Sequence, residues 1–433
     1  MSDLKSMMPR YEGYKDSGVE WIGEIPAHWE VEPLKYRLDL ISERFQSKQM
    51  KQLCYGMENI ESWTGRFING QTIVEGLVNK FCKHDILFGK LRPYLAKVAL
   101  AKWDGLCSTE FLVYRIKDDK PISYYKYLLL SGSFIYLIDS STYGSKMPRA
   151  SATFIGNQKL PIPPRQTQTT IANFLDCKTT KIDQAVAIKK KQIQLLKERK
   201  QILIQTAVTK GLDPNVLMRD SGAEWIGKIP KHWKVFCVKR IFRLVADPSK
   251  KNNNHELLSI YTEIGVKPRK ELKEKGNKAS TTDGYWLVQQ GDFIVNKLLA
   301  WMGAIGLSEY KGVTSPAYDI LRPIKKIDGY FYHFLFRTKE CSAEMKKHSK
   351  GIMDMRLRLY FDKFGMIEVP YPPKTEQKAI VTHIQTHSVK IDKAIAIQEQ
   401  MIDKLKEYKA TLINSAVTGK IKVPQTVEIK AVA

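Results

Sequence analysis

The chain contains the same pattern twice. Asp16-Ser-Gly-Val-Glu-Trp-Ile-Gly-Glu-Ile-Pro-Ala-His-Trp29 recurs as Asp220-Ser-Gly-Ala-Glu-Trp-Ile-Gly-Lys-Ile-Pro-Lys-His-Trp233, identical at 11 of 14 positions. A second pair follows in the same order. Pro163-Pro164-Arg165 to Lys210 matches Pro372-Pro373-Lys374 to Gly419, sharing Lys-Ile-Asp at 181–183 and 390–392 and Ala-Val-Thr at 207–209 and 416–418. Each copy of this tandem duplication is about 205 residues long. Two copies are too few for a solenoid, which needs three or more repeats to bury a continuous core. Two globular domains joined by helices fit better.

Between these anchors the copies diverge, yet a constant offset of 207 aligns isolated identities. Asp85 falls on Asp292, Lys90 on Lys297, Leu91 on Leu298, Ser108 on Ser315, Arg115 on Arg322, Tyr125 on Tyr332, Gly144 on Gly351 and Arg149 on Arg356. One fold with two different surfaces is the economical reading. Ile86-Leu87-Phe88, Val98-Ala99-Leu100 and Phe111-Leu112-Val113-Tyr114, punctuated by Gly and Asp, read as short strands. Tyr124 to Ile138 and Tyr330 to Met345 read as helices packed on them, which gives an α+β (mixed α/β) domain. Pro161 to Pro164 and Pro370 to Pro373 mark the exit from each domain.

The segments after these prolines have a helical seam. Ile182, Val186, Ile193, Leu196, Leu203 and Ala207 follow a 4-3 spacing, with Lys189 and Lys200 in the interrupting seam positions. Ile391, Ile395, Ile402, Leu405, Leu412 and Ala416 repeat it, with Gln398 and Lys409 in the gaps. An antiparallel pairing with Ile182 facing Ala416 would set Lys189 against Lys409 and Lys200 against Gln398. A parallel pairing also aligns these layers, so register alone does not choose. The expected architecture is a tandem repeat with pseudo-twofold symmetry: two homologous globular domains joined by two long antiparallel coiled-coil helices. Its boundaries fall at residues 1–165, 166–212, 213–374 and 375–433.

With 70 Lys and Arg against 45 Asp and Glu, a formal charge of +25, the chain attracts polyanions, and nucleic acid is the first partner to consider. Cys54, Cys82, Cys107, Cys177, Cys237 and Cys341 stand far apart, with no C-x-x-C pair, so neither a metal site nor a disulfide frame is expected. No apolar h-region and no membrane-length apolar run is found, and a cytoplasmic location is expected. Enzyme motifs are missing too. There is no G-x-x-x-x-G-K-[ST] loop, no G-x-G-x-x-G and no Asn/Asp-Pro-Pro-Tyr/Phe. His28 and His232 sit at matching positions, but no carboxylate or second ligand recurs beside them, and packing against Trp21, Trp29, Trp225 and Trp233 is expected.

Two diverged domains, each opened by W-I-G-x-I-P-x-H-W and closed by P-x-P-P-x-x-x-Q before a K-I-D-x-A helix ending in A-V-T, resemble the specificity subunit of type I restriction-modification systems. The resemblance runs from about Tyr14 to Ile421. It implies two target recognition domains, each reading one half of a bipartite, asymmetric sequence in double-stranded DNA. It also implies helices that act as spacer and as docking site for two modification (methyltransferase) subunits, with restriction/motor subunits completing the complex. No cofactor is implied for this chain: S-adenosylmethionine, ATP and magnesium belong to the partner subunits. The one departure is Thr167-Gln168, within Gln166-Thr-Gln-Thr169, where many relatives have Glu-Gln, expected to weaken a helix N-terminal interaction at most.

Duplication also sorts the DNA-binding candidates. Basic residues shared by both copies, Lys90 with Lys297 and Arg149 with Arg356, cannot distinguish two half-sites and suit phosphate contacts or loop support. Aligned positions that differ suit base reading: Arg92 against Leu299, Lys97 against Ala304, Lys146 against Met353, and Tyr143 and Ser151 against Lys350 and Arg358. A stand-alone DNA-binding regulator is the alternative; it would need no docking surface on the helices.

Overall fold

The computed structural model describes residues 8–46, 54–68, 70, 76–117, 121–271, 281–351 and 357–425. Two compact units result, Met1–Lys190 with Glu399–Ala433, and Lys191–Gln398. Each therefore takes one part of both long helices.

At the centre of the first unit is an antiparallel sheet in the order Leu38–Ile41, Phe111–Ile116, Ile86–Gly89, Val98–Leu100. The strand Ile86–Gly89 is buried throughout, so its apolar run does not alternate with polar residues. Its side chains nevertheless alternate between two cores, as the two-residue period of a strand requires. Ile86, Phe88, Val98, Leu112 and Tyr114 pack with the helices on one face, and Leu87, Ala99, Phe111 and Val113 pack with Ile60 and Phe81 on the other. In the second unit the same order recurs as Phe242–Val245, Tyr318–Pro323, Phe293–Asn296, Ile305–Leu307. Phe293, Val295, Ile305 and Leu321 face the helices there, and Ile294, Ala304 and Ile320 the opposite side. Outside this sheet the units part company. The first adds a four-stranded sheet of Arg44–Gln46, Leu77–Phe81, Gly105–Ser108 and Cys54–Tyr55, whereas the second has separate two-stranded pairs.

The expected single helices are each two. Ile122–Leu130 is followed by Gly132–Ser140, and Gly329–Phe336 by Lys339–Lys347. The breaks lie at Ser131 and near Thr338, whose hydroxyls bond back to the carbonyls of Leu128 and Leu335 at 2.7 and 2.8 Å. Hydroxyl side chains compete in this way with the helical backbone pattern, and Thr338 also caps the next helix by accepting from Cys341 N.

Each unit is closed by pairing its entry with its exit. Glu30–Pro33 pairs antiparallel with Lys159–Ile162, and Lys234–Cys237 with Glu368–Tyr371. The exits lead into the helices Arg165–Lys210 and Lys374–Val417. At both helix starts the motif glutamine turns back on the prolines: Gln168 Nε2 donates to Pro163 O at 2.8 Å, and Gln377 Nε2 to Pro372 O at 2.9 Å.

Both units show the helices antiparallel. In the first, Ile182 shares a core with Leu412, Ile413 and Ala416; in the second, Ala207 and Val208 share one with Ile380 and Ile384. The other seam residues Val186, Ile193, Leu196, Leu203, Ile395 and Leu405 are half-buried, and Ile391 and Ile402 are buried. The polar layers differ from those expected. Lys409 meets Asp183 at 2.8 Å, not Lys189, and Lys200 meets Asp392 at 2.7 Å, not Gln398. These are equivalent pairs, each joining a lysine of one repeat to the Lys-Ile-Asp aspartate of the other. A parallel pairing of aligned repeats would set Asp183 beside Asp392 instead.

The helix ends cross-connect the repeats. Gly211, in the left-handed conformation at φ +77°, ends the first long helix against Pro230 and Trp233 of the second opening motif. Gly419, at φ +71°, ends the second against Pro26 and Trp29 of the first. A Cβ on Gly419 would stand 2.8 Å from Pro26 Cγ and 3.1 Å from the Trp29 ring, so only glycine fits both the conformation and the space.

Candidate nucleic-acid interface

Two turns at the strand ends of each central sheet carry most of the basic candidates. In the first unit they are the segment 90–97, after the strand Ile86–Gly89, and the segment 143–149. Backbone bonds bind them together: Arg92 N donates to Pro148 O at 2.8 Å, Ala150 N to Lys90 O at 2.9 Å, and Tyr143 and Arg149 exchange two bonds. Arg92 and Ala96 are both left-handed, at φ 50° and 46°, around the short turn Pro93–Leu95. Residues with a Cβ hold that conformation only where neighbours impose it. Here Pro148 and the 3₁₀ turn do so. Arg92, Tyr143 and Lys146 are exposed, as are Tyr94 and Met147, while Lys90 is half-buried.

In the second unit the corresponding turns are 297–304 and 350–358. Leu359 N donates to Lys297 O at 2.9 Å, and Lys350 and Arg358 exchange two bonds. Leu298, Leu299 and Met302 are exposed where the first unit has Leu91, Arg92 and Leu95. Arg337, which sequence reasoning missed, holds this turn: its guanidinium donates to Gly303 O at 2.7 Å and Ile305 O at 3.2 Å on one side, and to Glu263 O at 3.0 Å on the other. Burial pulls its pKa down. No spacing rule could have found it, because all its acceptors are backbone carbonyls.

These bonds correct one alignment. The offset of 207 pairs Arg149 with Arg356, but the residue that bonds as Arg149 does is Arg358. Tyr143 and Arg149 enclose residues 144–148, whereas Lys350 and Arg358 enclose 351–357, so the second copy is two residues longer in this loop. Beyond it the offset is 209, as in Lys159–Ile162 and Glu368–Tyr371. Arg356 and Met353 lie outside the described residues. Ser151 is consequently not the counterpart of Arg358; it caps the helix Ala152–Asn157 by accepting from Phe154 N, the place Tyr360 takes before Phe361–Phe364.

Partners separate the candidates further. Lys97 Nζ donates to the carbonyls of Met57 and Ile60 at 2.5 and 2.8 Å, and burial lowers its pKa. Its ammonium is committed to holding the 57–60 turn, a need that Ala304, buried at the same place, does not have. Lys297 pairs with Asp319 at 3.1 Å. Arg149 makes a two-pronged ion pair with Glu110, with contacts near 3.0 Å. Arg92, Lys146, Lys350 and Arg358 have no acidic partner among the described residues. The matched identities Asp85, Arg115, Asp292 and Arg322 prove structural: each arginine grips its buried aspartate through two bonds of 2.8 and 2.7 Å.

The family of type I restriction modification DNA specificity domains matches residues 64–198 and 230–407, well over half of the sequence. The chain belongs to the type I restriction-modification specificity subunits. Among relatives, the MjaX specificity subunit of Methanocaldococcus jannaschii is 25% identical over 441 residues, covering 93% of this chain and 96% of that one. The EcoDI specificity subunit of Escherichia coli is 30% identical over 110 residues, 24% of each chain. In fold, the chain resembles one from the solved structure "Structural basis underlying complex assembly and conformational transition of the type I R-M system", with a TM-score of 0.68 and 17% identity over 92% of this chain and 99% of that one. The HsdS subunit from Thermoanaerobacter tengcongensis follows at a TM-score of 0.51 and 15% identity, covering 92% and 98%.

Specificity subunits are the non-catalytic component of the type I enzyme, and the paired motif histidines have structural surroundings. His28 and His232 are exposed, while Trp29 and Trp233 beside them are buried at 0% and 1%. Tyr11 packs against both rings, tilted on His28 and edge-on to Trp29, with centroids 5.6 and 5.7 Å away. The helix-start departure matters more than expected. Glu376 accepts from His232 Nε2 at 2.7 Å and from Trp233 Nε1 at 2.9 Å. Thr167 stands at its place in the first unit, and Trp29 Nε1 has no partner among the described residues. Among those residues no helix is long and apolar enough to cross a membrane.

Proposed function

We propose that this specificity subunit directs a type I restriction-modification complex to a bipartite, asymmetric sequence in double-stranded DNA. Residues 1–165 and 213–374 each read one half-site as target recognition domains. Residues 166–212 and 375–433 form the spacer region that sets the distance between half-sites and docks two modification subunits, joined by restriction/motor subunits in the full complex. The partner subunits carry out adenine methylation or cleavage, with S-adenosylmethionine, ATP and magnesium held on them, in the cytoplasm. The observation that carries this reading is that one sheet and one pair of hydrogen-bonded turns present different exposed side chains in the two units: Arg92, Tyr143 and Lys146 in one, Leu299, Lys350 and Arg358 in the other. A shared framework with unshared surface suits two readers of different sequence. The stretch from Lys181 to Thr209 would span about 43 Å as a helix, very roughly one helical turn of DNA.

The test is methyl transfer by the chain alone, by the modification subunits alone, and by both together. Sequence-specific methylation is expected only from the mixture. Methylation by the isolated chain, or by a complex without sequence preference, would overturn the proposal.

A further inference from the structure

The two units dispose of their arginines in opposite ways. In the first, Arg149 is locked: Glu110 holds it with two prongs, and the neighbouring turn presents Arg92 without an acidic partner among the described residues. In the second, the position of Arg92 is Leu299, and the arginine that bonds as Arg149 does is Arg358. The residue at the place of Glu110 is Ala317. The equivalence is visible in the backbone, since Glu110 N donates to Ser108 Oγ and Ala317 N to Ser315 Oγ, one residue before matching strands. Loss of that carboxylate leaves Arg358 exposed. Among the described residues each unit thus offers one arginine without an acidic partner on its turn pair, and the swap of Glu110 for Ala317 accompanies the swap of Arg92 for Leu299.

A guanidinium held on a fixed backbone can donate to N7 and O6 of guanine together, the commonest specific base contact in the major groove. Both backbones are fixed. Arg92 is pinned to Pro148 in the left-handed conformation, and Arg358 bonds to Lys350 in both directions. A guanidinium already engaged by glutamate, as in Arg149, has its Nε and one Nη donor taken and is turned toward that carboxylate with its charge matched.

We propose that Arg92 reads a guanine in one half-site and Arg358 a guanine in the other, and that Glu110 and Ala317 decide which arginine of each turn pair is available. This rests on the assignment of the two units as readers of separate half-sites. The experiment uses the complete methyltransferase complex and duplexes of its mapped target in which single guanines are replaced by 7-deazaguanine, which lacks N7. With the unaltered protein, one such replacement in each half-site is expected to weaken binding about ten-fold or more. Arg92→Ala should abolish the difference in one half-site only. Arg358→Ala should abolish it in the other, and so should Ala317→Glu, which keeps the arginine but supplies the carboxylate that locks it. A half-site without guanine, analogue effects that survive these substitutions, or an Arg92→Ala protein weakened equally on every sequence would overturn the proposal while leaving two-site recognition intact. Binding with no sequence preference at all would instead defeat the underlying assignment.

Discussion

Lys409 donates two hydrogen bonds of 2.8 Å to the carboxylate of Asp183, with the lysine side chain 9% exposed and the aspartate 17%. Its repeat-related counterpart, Lys200 with Asp392, has the same geometry but exposures of 30% and 56%. The difference in solvent decides their worth. A charge left alone in a buried seam is costly, whereas exposed pairs are screened. Lys409→Ala leaves Asp183 with only the more distant and more exposed Arg66, at 4.0 Å, and is expected to lower stability by about 2–3 kcal/mol, against less than about 1 kcal/mol for Lys200→Ala. Thermal or denaturant unfolding of the two variants checks the ranking; equal losses would contradict it.

Supplying the missing carboxylate should stabilise the first unit. Thr167→Glu would place an acceptor where Glu376 serves the second unit, within reach of the unpartnered Trp29 Nε1. A gain of about 1–2 kcal/mol is expected, and a similar loss for Glu376→Thr. Unfolding curves of the two variants measure both. A Thr167→Glu protein no more stable than the parent would show that Trp29 is satisfied in another way.

Acid should weaken the second unit through His333. Burial lowers its pKa from 6.5 to about 4, with Arg337 adding to the effect. Above pH 6.5 the ring is neutral in both folded and unfolded chains, and its contribution is fully present. Between pH 6.5 and about 4 the unfolded chain takes up a proton that the folded one does not, so stability falls as pH falls. The loss is at most about 3 kcal/mol across that window. Comparing pH-dependent unfolding of the parent with His333→Phe isolates it; identical slopes would rule it out.

The ends of the described chain permit a circular permutation. Lys422 N donates to Pro9 O at 2.7 Å, and Gly419 packs on Pro26 just as Gly211 packs on Pro230. Joining the chain near Met8 to the chain near Gln425 by a short linker, and reopening it in the exposed segment at Asp213-Pro214, should preserve folding and the DNA target. Loss of folding would show that the Leu212–Arg219 connection does more than link two equivalent halves.

Much of this architecture is legible in the sequence because duplication makes each copy a control for the other. Asp85 and Arg115 stood out only by recurring as Asp292 and Arg322, and both turned out to be the same buried ion pair. Legibility fails where the copies differ in length or where backbone groups are the partners. The two extra residues in 351–357 carry no pattern, so the offset put Arg356 where Arg358 belongs. Lys97 reads as a variable surface charge until its two carbonyl acceptors are seen. The seam lysines suggested polar layers, but their aspartate partners lay within a tripeptide noted only for its repetition. The partner of Arg149 is likewise a glutamate 39 residues away in sequence, which no local motif encodes.

The central claim is that two units of one fold read two half-sites independently. Its most direct measurement is to replace residues 30–160 with the matching region of a relative, assemble the complex, and map the methylated adenines in host DNA. One half of the recognition sequence should change, while the other half and the spacer between them stay the same. If both halves change together, or neither does, the units are not independent readers and the account is wrong.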